Sequence, residues 1–270
     1  MGPGNNTKIY PVVRYEKRAY TRDSLELIGE EPLMIRVDDK SYSVVMRTPG
    51  EEEAHAVGLC LGEGLIDSVD DLTTIGYDRD IDPNLIDIWL TPERRKLIPN
   101  LLKRKTYVSQ TSCGICGKKM LEDLNQALKP IENGYQIEIS QVFKCLKALT
   151  EKQSIYPRTR GSHAALIFDD SLNVASFSED VGRHNALDKS IGKLFMDRTL
   201  KHARLLVLSS RISYELVQKA ARAKLSMIIS KSRPTALAVE MGKSLNMTLA
   251  CAFESKSLII FSGENRIKME

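Results

Sequence analysis

Two cysteines three positions apart, Cys113 and Cys116, lie in the stretch YVSQTSCGICGKKMLEDL that covers residues 107–124. Apolar Leu121, Leu124 and Leu128 follow at helical spacing, which places both thiols just before, or in the first turn of, a helix. Unpaired N–H groups and the helix dipole favour a thiolate there. Lys118 and Lys119 add positive charge, and Gly114 and Gly117 leave the sulfurs approachable. Three chemistries suit such a reactive pair: zinc binding, a redox disulfide, or carriage of a group on sulfur. An inert loop pair is the fourth reading. A structural zinc site needs four ligands. Cys60, Cys145 and Cys251 are isolated in apolar contexts and read as small core residues, and His55, His163, His184 and His202 form no paired motif. No permanently bound metal is therefore expected, and the residues favour carriage of a group.

A second concentration of chemistry lies downstream. RGSHAALIF puts His163 at the start of a strand, and EDVGRHNALDKSIGKLF puts His184 in the next helix, with Asp180 and Asp188 one turn to either side. Either acid could satisfy that imidazole, which is the bland reading of it. Arg183, Asn185 and Lys189 crowd the same stretch, a polarity that suits a ligand or an interface. Ser209, Ser210 and Arg211 follow the apolar run LLVLS and precede a helix start, the position where open α/β sheets bind ligands and where an anion is favoured. SKSRPT repeats the arrangement one strand later. Residues 201–233 hold eight Lys or Arg and one acid, Glu215, a local excess that suits a phosphate-bearing ligand. The alternative is a solvated basic face at Lys219, Arg222 and Lys224.

The elements that must position these groups follow from periodicity. Residues 1–24 are polar, punctuated by Pro and Arg, and read as loosely ordered. Residues 30–48 read as two strands joined at DDKS, and residues 48–66 as a helix with Thr48 as N-cap and Pro49 in the first turn. LIDIWL is a strand, and PERRKLIPNLLKRK a basic connection. From Ala164 onward strands alternate with helices: a hairpin at 164–168 and 173–177, helices over 180–195, 212–225 and 236–246, and strands at 204–210, 226–230, 247–253 and 257–261. Such alternation predicts a mostly parallel sheet covered on both faces. A boundary near residue 105 divides the chain into a smaller α+β part (1–105) and an α/β part (106–270).

The 270 residues are 42% hydrophobic, enough for a substantial core. Lys and Arg number 39 against 35 acids, and the net charge of +4 gives no sign of a nucleic-acid binder. No apolar run reaches the roughly 18–20 residues of a membrane span. The start, MGPGNNTKIYP, matches neither a signal peptide nor, with Asn6 in place, a myristoylation site. A cytoplasmic protein is expected. Five cysteines in a chain this long argue against a disulfide framework.

EEPLMIRV, MRTPGEEEAHAVGLCLGEGLI, TSCGICG, GSHAAL, EDVGRHNALDKSIGK, SSRISYELVQKA and TLACAF, in this order from about residue 25 to the end, resemble the formate dehydrogenase accessory sulfurtransferase family (FdhD/NarQ type). The resemblance implies a cytidine deaminase-like three-layer α/β sandwich with a smaller N-terminal α+β domain, assembled as a homodimer. It implies that a cysteine desulfurase passes sulfane sulfur to Cys113, with Cys116 assisting. The persulfide then supplies the molybdenum bis-guanine-dinucleotide cofactor of formate dehydrogenase; a non-covalent chaperone for that cofactor is the alternative. The guanine nucleotide moiety would lie against His163, His184, Ser209, Ser210 and Arg211, with Ala252, Phe253, Glu254, Ser255, Lys256 and Ser257 as a second wall. Glu254 stands where the family usually has a cation, and Lys256 is expected to take over that role. The zinc deaminase signature is missing: Ser112 rather than proline precedes Cys113, and no H-x-E triplet occurs.

Overall fold

The computed structural model describes residues 6–102, 128–132, 134–253 and 257–268. Strands β1 (Thr7–Glu16) and β2 (Ala19–Ile28) pair antiparallel over their whole length. A loose N-terminus was expected here. The pairing is hidden in the sequence because the turn uses Lys17 and Arg18, both at positive φ, instead of Gly or Asn. Pro11 is tolerated because both strands of a two-stranded ribbon are edges.

A four-stranded sheet follows, built from β3 (Glu31–Val37), β4 (Lys40–Arg47), β5 (Leu72–Gly76) and β6 (Leu85–Leu90) in the order β4-β3-β6-β5. Between β4 and β5 runs helix α1 (Glu52–Glu63), and after β6 come the short helices α2 (Pro92–Leu97) and α3 (Pro99–Leu102). Thr48 does not cap α1. The helix starts four residues later, after Glu51 in a left-handed conformation, and the Glu52 carboxylate accepts from the Gly50 N–H at 2.6 Å. Thr48 is instead consumed by contacts to the later sheet.

That later sheet has six strands. In chain order they are β8 (His163–Asp169), β9 (Val174–Asp180), β10 (Ala203–Leu208), β11 (Met227–Ser230), β12 (Thr248–Phe253) and β13 (Ser257–Ser262). Their order in space is β13-β12-β11-β10-β8-β9. Only β10, β11 and β12 run parallel to one another; β8, β9 and β13 join antiparallel, so the sheet is mixed rather than mostly parallel. The two hairpins, β8–β9 and β12–β13, supply the antiparallel flanks. A short parallel pair, β7 (Ile137–Glu138) with β14 (Ile267–Lys268), ties the last residues to the start of helix α4 (Ile139–Lys152), which is followed by the single turn α5 (Tyr156–Thr159).

Strand residues alternate between two apolar clusters, as a sheet covered on both faces requires. Leu166, Phe168, Leu205, Val207, Met227 and Ile229 pack with Val142, Cys145, Leu146 and Leu149 of α4. Ala165, Ile167, Leu206, Leu208 and Ile228 face α6 (Arg183–Met196), α7 (Tyr214–Arg222) and α8 (Ala236–Ser244). The second cluster continues through α1 into Leu33, Ile35, Ile86 and Ile88 of the smaller sheet, so residues before and after position 105 share one core. No helix among the described residues is long and apolar enough to cross a membrane.

Helices α1 and α6 cross at glycine. A Cβ on Gly192 would sit 1.8 Å from the Ala54 carbonyl oxygen, and one on Gly58 1.9 Å from that of Asp188. Both obstacles are backbone, so the helices would have to move apart. Gly192→Ala is expected to destabilise the protein by about 2 kcal/mol or more despite Ala's better helix propensity. Gly134→Ala, where a Cβ meets nothing within 4 Å, should change stability by less than about 0.5 kcal/mol. Urea unfolding of the two variants checks this.

Candidate functional site

The parallel strands β10, β11 and β12 end together. Leu208 pairs with Ser230, and Ser230 with Cys251. On the other side Leu208 pairs with Ala165, so β8 begins at the same edge, where His163 pairs with Asp180 at the end of β9. One edge of the sheet therefore gathers His163, Asp180, the start of α6 with Arg183 and His184, Ser209–Ser210–Arg211, and the β12–β13 turn bounded by the pair Phe253 and Ser257. This brings together the expected residues His163, His184, Ser209, Ser210, Arg211, Ala252 and Ser257. Cys113, Cys116, Glu254, Ser255 and Lys256 lie outside the described residues, and Phe253 is placed by its backbone alone.

The edge is held by buried polar contacts. Asp180 is fully buried. Its carboxylate accepts from the N–H groups of Thr48 (3.1 Å) and Gly182 (2.8 Å), from Asn185 Nδ2 (2.8 Å), and from Lys189 Nζ (2.6 Å). The Lys189 amine also donates to the Thr48 carbonyl at 2.7 Å, and Thr48 Oγ1 accepts from the Val181 N–H. Because Asp180 is spent this way, α6 starts at Arg183 rather than at 180. Glu179, also buried, accepts from the N–H groups of Ser154, Ile155 and Tyr156 and from Ser162 Oγ at 2.6–3.0 Å. That carboxylate fixes the backbone leading to His163 and accounts for Ser162 in front of it. Sequence reasoning passed over Glu179; an acid in a strand that must be buried was the available signal.

Neither Asp180 nor Asp188 serves His184. Asp188 is buried against Lys219 Nζ at 2.8 Å. His184 faces the other way: its Nε2 lies 3.4 Å from Ser213 Oγ and 3.8 Å from Glu215, the lone acid of the basic stretch. Contact with His184 is the main cause that brings the Glu215 carboxyl down to about 2. His163 is half-buried. Burial first, then the charges of Arg183 and His184, hold its imidazole below the usual histidine range, with Asp180 opposing. The Arg183 Nε is buried and has no hydrogen-bond partner among the described residues.

The strand-end residues divide in role. Ser209 continues the ladder, donating its N–H to the Ala164 carbonyl and accepting the Ala164 N–H on Oγ at 2.8 Å. Ser210 is buried, and its carbonyl accepts from Ser230 Oγ. Arg211 is exposed just ahead of α7, and no ion-pair partner faces it among the described residues. Only part of the basic excess of residues 201–233 reaches this edge: Arg211 follows β10, and Lys231 and Arg233 follow β11. Lys219 is neutralised by Asp188, Arg222 is tied to the Leu61 carbonyl and Asp67, and Arg204 to Asp170. These cations belong to the scaffold. The three described cysteines, Cys60, Cys145 and Cys251, are buried free thiols. Burial pushes all three up, Cys145 to about 11, so none is a ready thiolate.

Removing Lys189 would leave Asp180 buried without its cation. Lys189→Met is expected to cost about 3–5 kcal/mol of stability, read from urea or thermal unfolding; a loss below about 1 kcal/mol would show that the ion pair is not what holds this edge.

Comparison with known proteins accords with this architecture. The FdhD/NarQ family model matches residues 28–268. The chain is 31% identical to the sulfur carrier protein FdhD of Streptomyces avermitilis, covering 98% of this chain and 97% of the relative. It is 30% identical to the sulfur carrier protein FdhD of Saccharolobus solfataricus, covering 98% and 99%. The crystal structure of a formate dehydrogenase accessory protein from Desulfotalea psychrophila shares the fold with a TM-score of 0.78 at 19% identity, covering 98% of this chain and all of that one. The chain belongs to the FdhD/NarQ family.

Proposed function

We propose that the protein is a sulfur carrier that supports formate dehydrogenase, taking sulfane sulfur from a cysteine desulfurase as a persulfide on Cys113. The observation that carries this reading is the division among the cysteines. Cys60, Cys145 and Cys251 are buried with raised pKa values, which leaves Cys113 and Cys116 to supply a thiolate. The full-length match to relatives named as sulfur carriers supports it. In the loading step the Cys113 thiolate attacks the outer sulfur of the donor's persulfide. One S–S bond forms, the donor's S–S bond breaks, and the donor cysteine leaves as a thiolate, so no oxidant is consumed. For release as sulfide, the Cys116 thiolate attacks Cys113 sulfur. Hydrosulfide leaves, and the two electrons it carries come from closure of a Cys113–Cys116 disulfide.

The cargo's destination is read as the molybdenum bis-guanine-dinucleotide cofactor, which is substrate here. The sheet edge fits a phosphate-bearing group in its chemistry: exposed Arg211 and the buried Arg183 Nε, which has no hydrogen-bond partner among the described residues. Ala252 and Ser257 would form the second wall, with Lys256 in place of the cation that Glu254 displaces. On the same footing the six-stranded sheet with its helices is read as a cytidine deaminase-like sandwich, supported by its helix–sheet–helix layering.

Mass spectrometry after incubation with a cysteine desulfurase and cysteine tests the carrier reading. The parent should gain one sulfur atom on the peptide containing Cys113, and Cys113→Ala should gain none there. Equal loading of Cys113→Ala at another site would overturn the assignment, and no loading of the parent would favour a non-covalent chaperone. Calorimetric titration with GDP tests the sheet edge. Arg211→Ala should weaken binding by about 1.5–3 kcal/mol; unchanged affinity would remove the phosphate from this edge.

A further inference from the structure

The smaller sheet carries a recess that has no part in the reading above. It lies where the β3–β4 turn, the end of β6 and the short helix α2 meet. It encloses about 330 Å³ between Asp38, Asp39, Lys40, Tyr42, Trp89 and Arg95. That is the low end of the ~300–1,000 Å³ of small-molecule sites, and it suits a ligand of amino-acid size.

Three features of its wall are not accounted for by folding. First, the turn joins the paired residues Val37 and Lys40 through Asp38 and Asp39, both at positive φ (50° and 66°). That backbone favours Asn-Gly, so two aspartates there carry a local cost. Asp38 has a structural use, since its Oδ1 accepts the Leu90 N–H at 3.1 Å. Asp39 is exposed and makes no hydrogen bond or ion pair among the described residues. Second, β6 buries Ile86, Ile88 and Leu90 and turns Trp89, the one tryptophan of the chain, to the other face, where it is half-buried. An indole that the core does not use is a stacking surface. Third, Arg95 meets Asp38 through one contact, Nη2 to Oδ1 at 2.7 Å, while Arg95 Nε and Asp38 Oδ2 have no hydrogen-bond partner among the described residues. On the same sheet Arg36 and Asp87 make the two-bond fork, 2.6 Å at each end. The Arg95 fork is under-used, and its side chain is 41% exposed.

The charges of the wall balance, Asp38 and Asp39 against Lys40 and Arg95. A plain anion or cation is attracted by one pair and repelled by the other, whereas a dipolar ligand meets both favourably. We propose that this recess binds a free α-amino acid with an aromatic side chain. Its carboxylate takes the N–H groups of Arg95 and the Lys40 ammonium, its own ammonium faces Asp39, and its ring lies against Trp89 and Tyr42. Charge-assisted bonds fix the two ends, and the rings supply the contact area.

The recess shares no residue with the strand-end edge or the loop cysteines, so its test leaves the sulfur-carrier reading untouched. Because Trp89 is the one tryptophan, its emission reports the recess directly. Titration of the full chain with L-phenylalanine should give a saturable change in that emission below about 10 mM. Phenethylamine, which lacks the carboxylate, and phenylpropionate, which lacks the ammonium, should each bind about tenfold more weakly or worse. Asp39→Asn keeps a residue that tolerates positive φ and removes the charge; it should retain the parent's unfolding curve and weaken L-phenylalanine about fivefold or more. Arg95→Gln should weaken it about tenfold. No saturable change with the parent would overturn the proposal. So would equal binding of phenethylamine or phenylpropionate, or unchanged affinity in Asp39→Asn. Should Arg95→Gln fold poorly, Asp39→Asn and the three ligands on the parent decide the matter.

Discussion

One buried carboxylate organises the end of the sheet that is proposed to hold a phosphate-bearing ligand. Asp180 closes strand β9, holds the turn into α6 through the Gly182 N–H and Asn185, and reaches across to the Thr48 N–H at the foot of α1. Lys189, nearly two helical turns into α6, completes the arrangement by bridging Asp180 and the Thr48 carbonyl. Two ions removed from water are costly unless each finds several partners. Here the carboxylate has four donors and the ammonium two acceptors, so position is over-determined. His163 and Arg183 flank this cluster, and their placement follows from it. The glycine contacts between α1 and α6 serve the same end, because the short reach from Lys189 to Thr48 requires the two helices to approach backbone to backbone.

The buried charges also explain why the protein's basic character is a poor guide to its surface. Lys219 and Arg222 sit on α7 facing α1, where they meet Asp188, the Leu61 carbonyl and Asp67. His55 is fully buried among Arg47, Lys189 and Lys219, and burial followed by those charges drives its imidazole well below the usual range. A neutral imidazole is what such a crowd of cations tolerates. What remains for a ligand at the sheet edge is a small set: Arg183 half-covered, Arg211 after β10, and Lys231 and Arg233 after β11.

Much of the architecture was legible. The hydrophobic alternation of residues 164–168 and the short apolar runs at 204–210 and 226–230 gave their strands within one or two residues, because a sheet buried on both faces leaves an unbroken apolar signature, whereas the strand read as 173–177 runs three residues further, to Asp180. The strand-end location of Ser209, Ser210 and Arg211 followed from chain order alone. Three features were not legible, each for a physical reason. The β1–β2 ribbon lacks a glycine or asparagine turn, since Lys17 and Arg18 take up positive φ themselves. Thr48 has the chemistry of a helix cap, but Asp180 and Val181, about 130 residues away in sequence, compete for its N–H and hydroxyl and win. His184 was flanked in sequence by two acids, yet both were claimed by lysines, and its true neighbours, Ser213 and Glu215, come from another helix.

Hydrogen exchange of an Asp180→Asn variant tests most directly whether this carboxylate positions the edge. The change keeps the shape of the side chain and removes the charge that Lys189 neutralises. Amides of residues 47–50, 162–164 and 180–186 should exchange faster than in the parent, while those of α4 on the opposite face of the sheet keep their protection. Unaltered exchange across residues 180–186 would contradict the account, because the strand end, the start of α6 and the foot of α1 would then be held by something other than the contacts of Asp180.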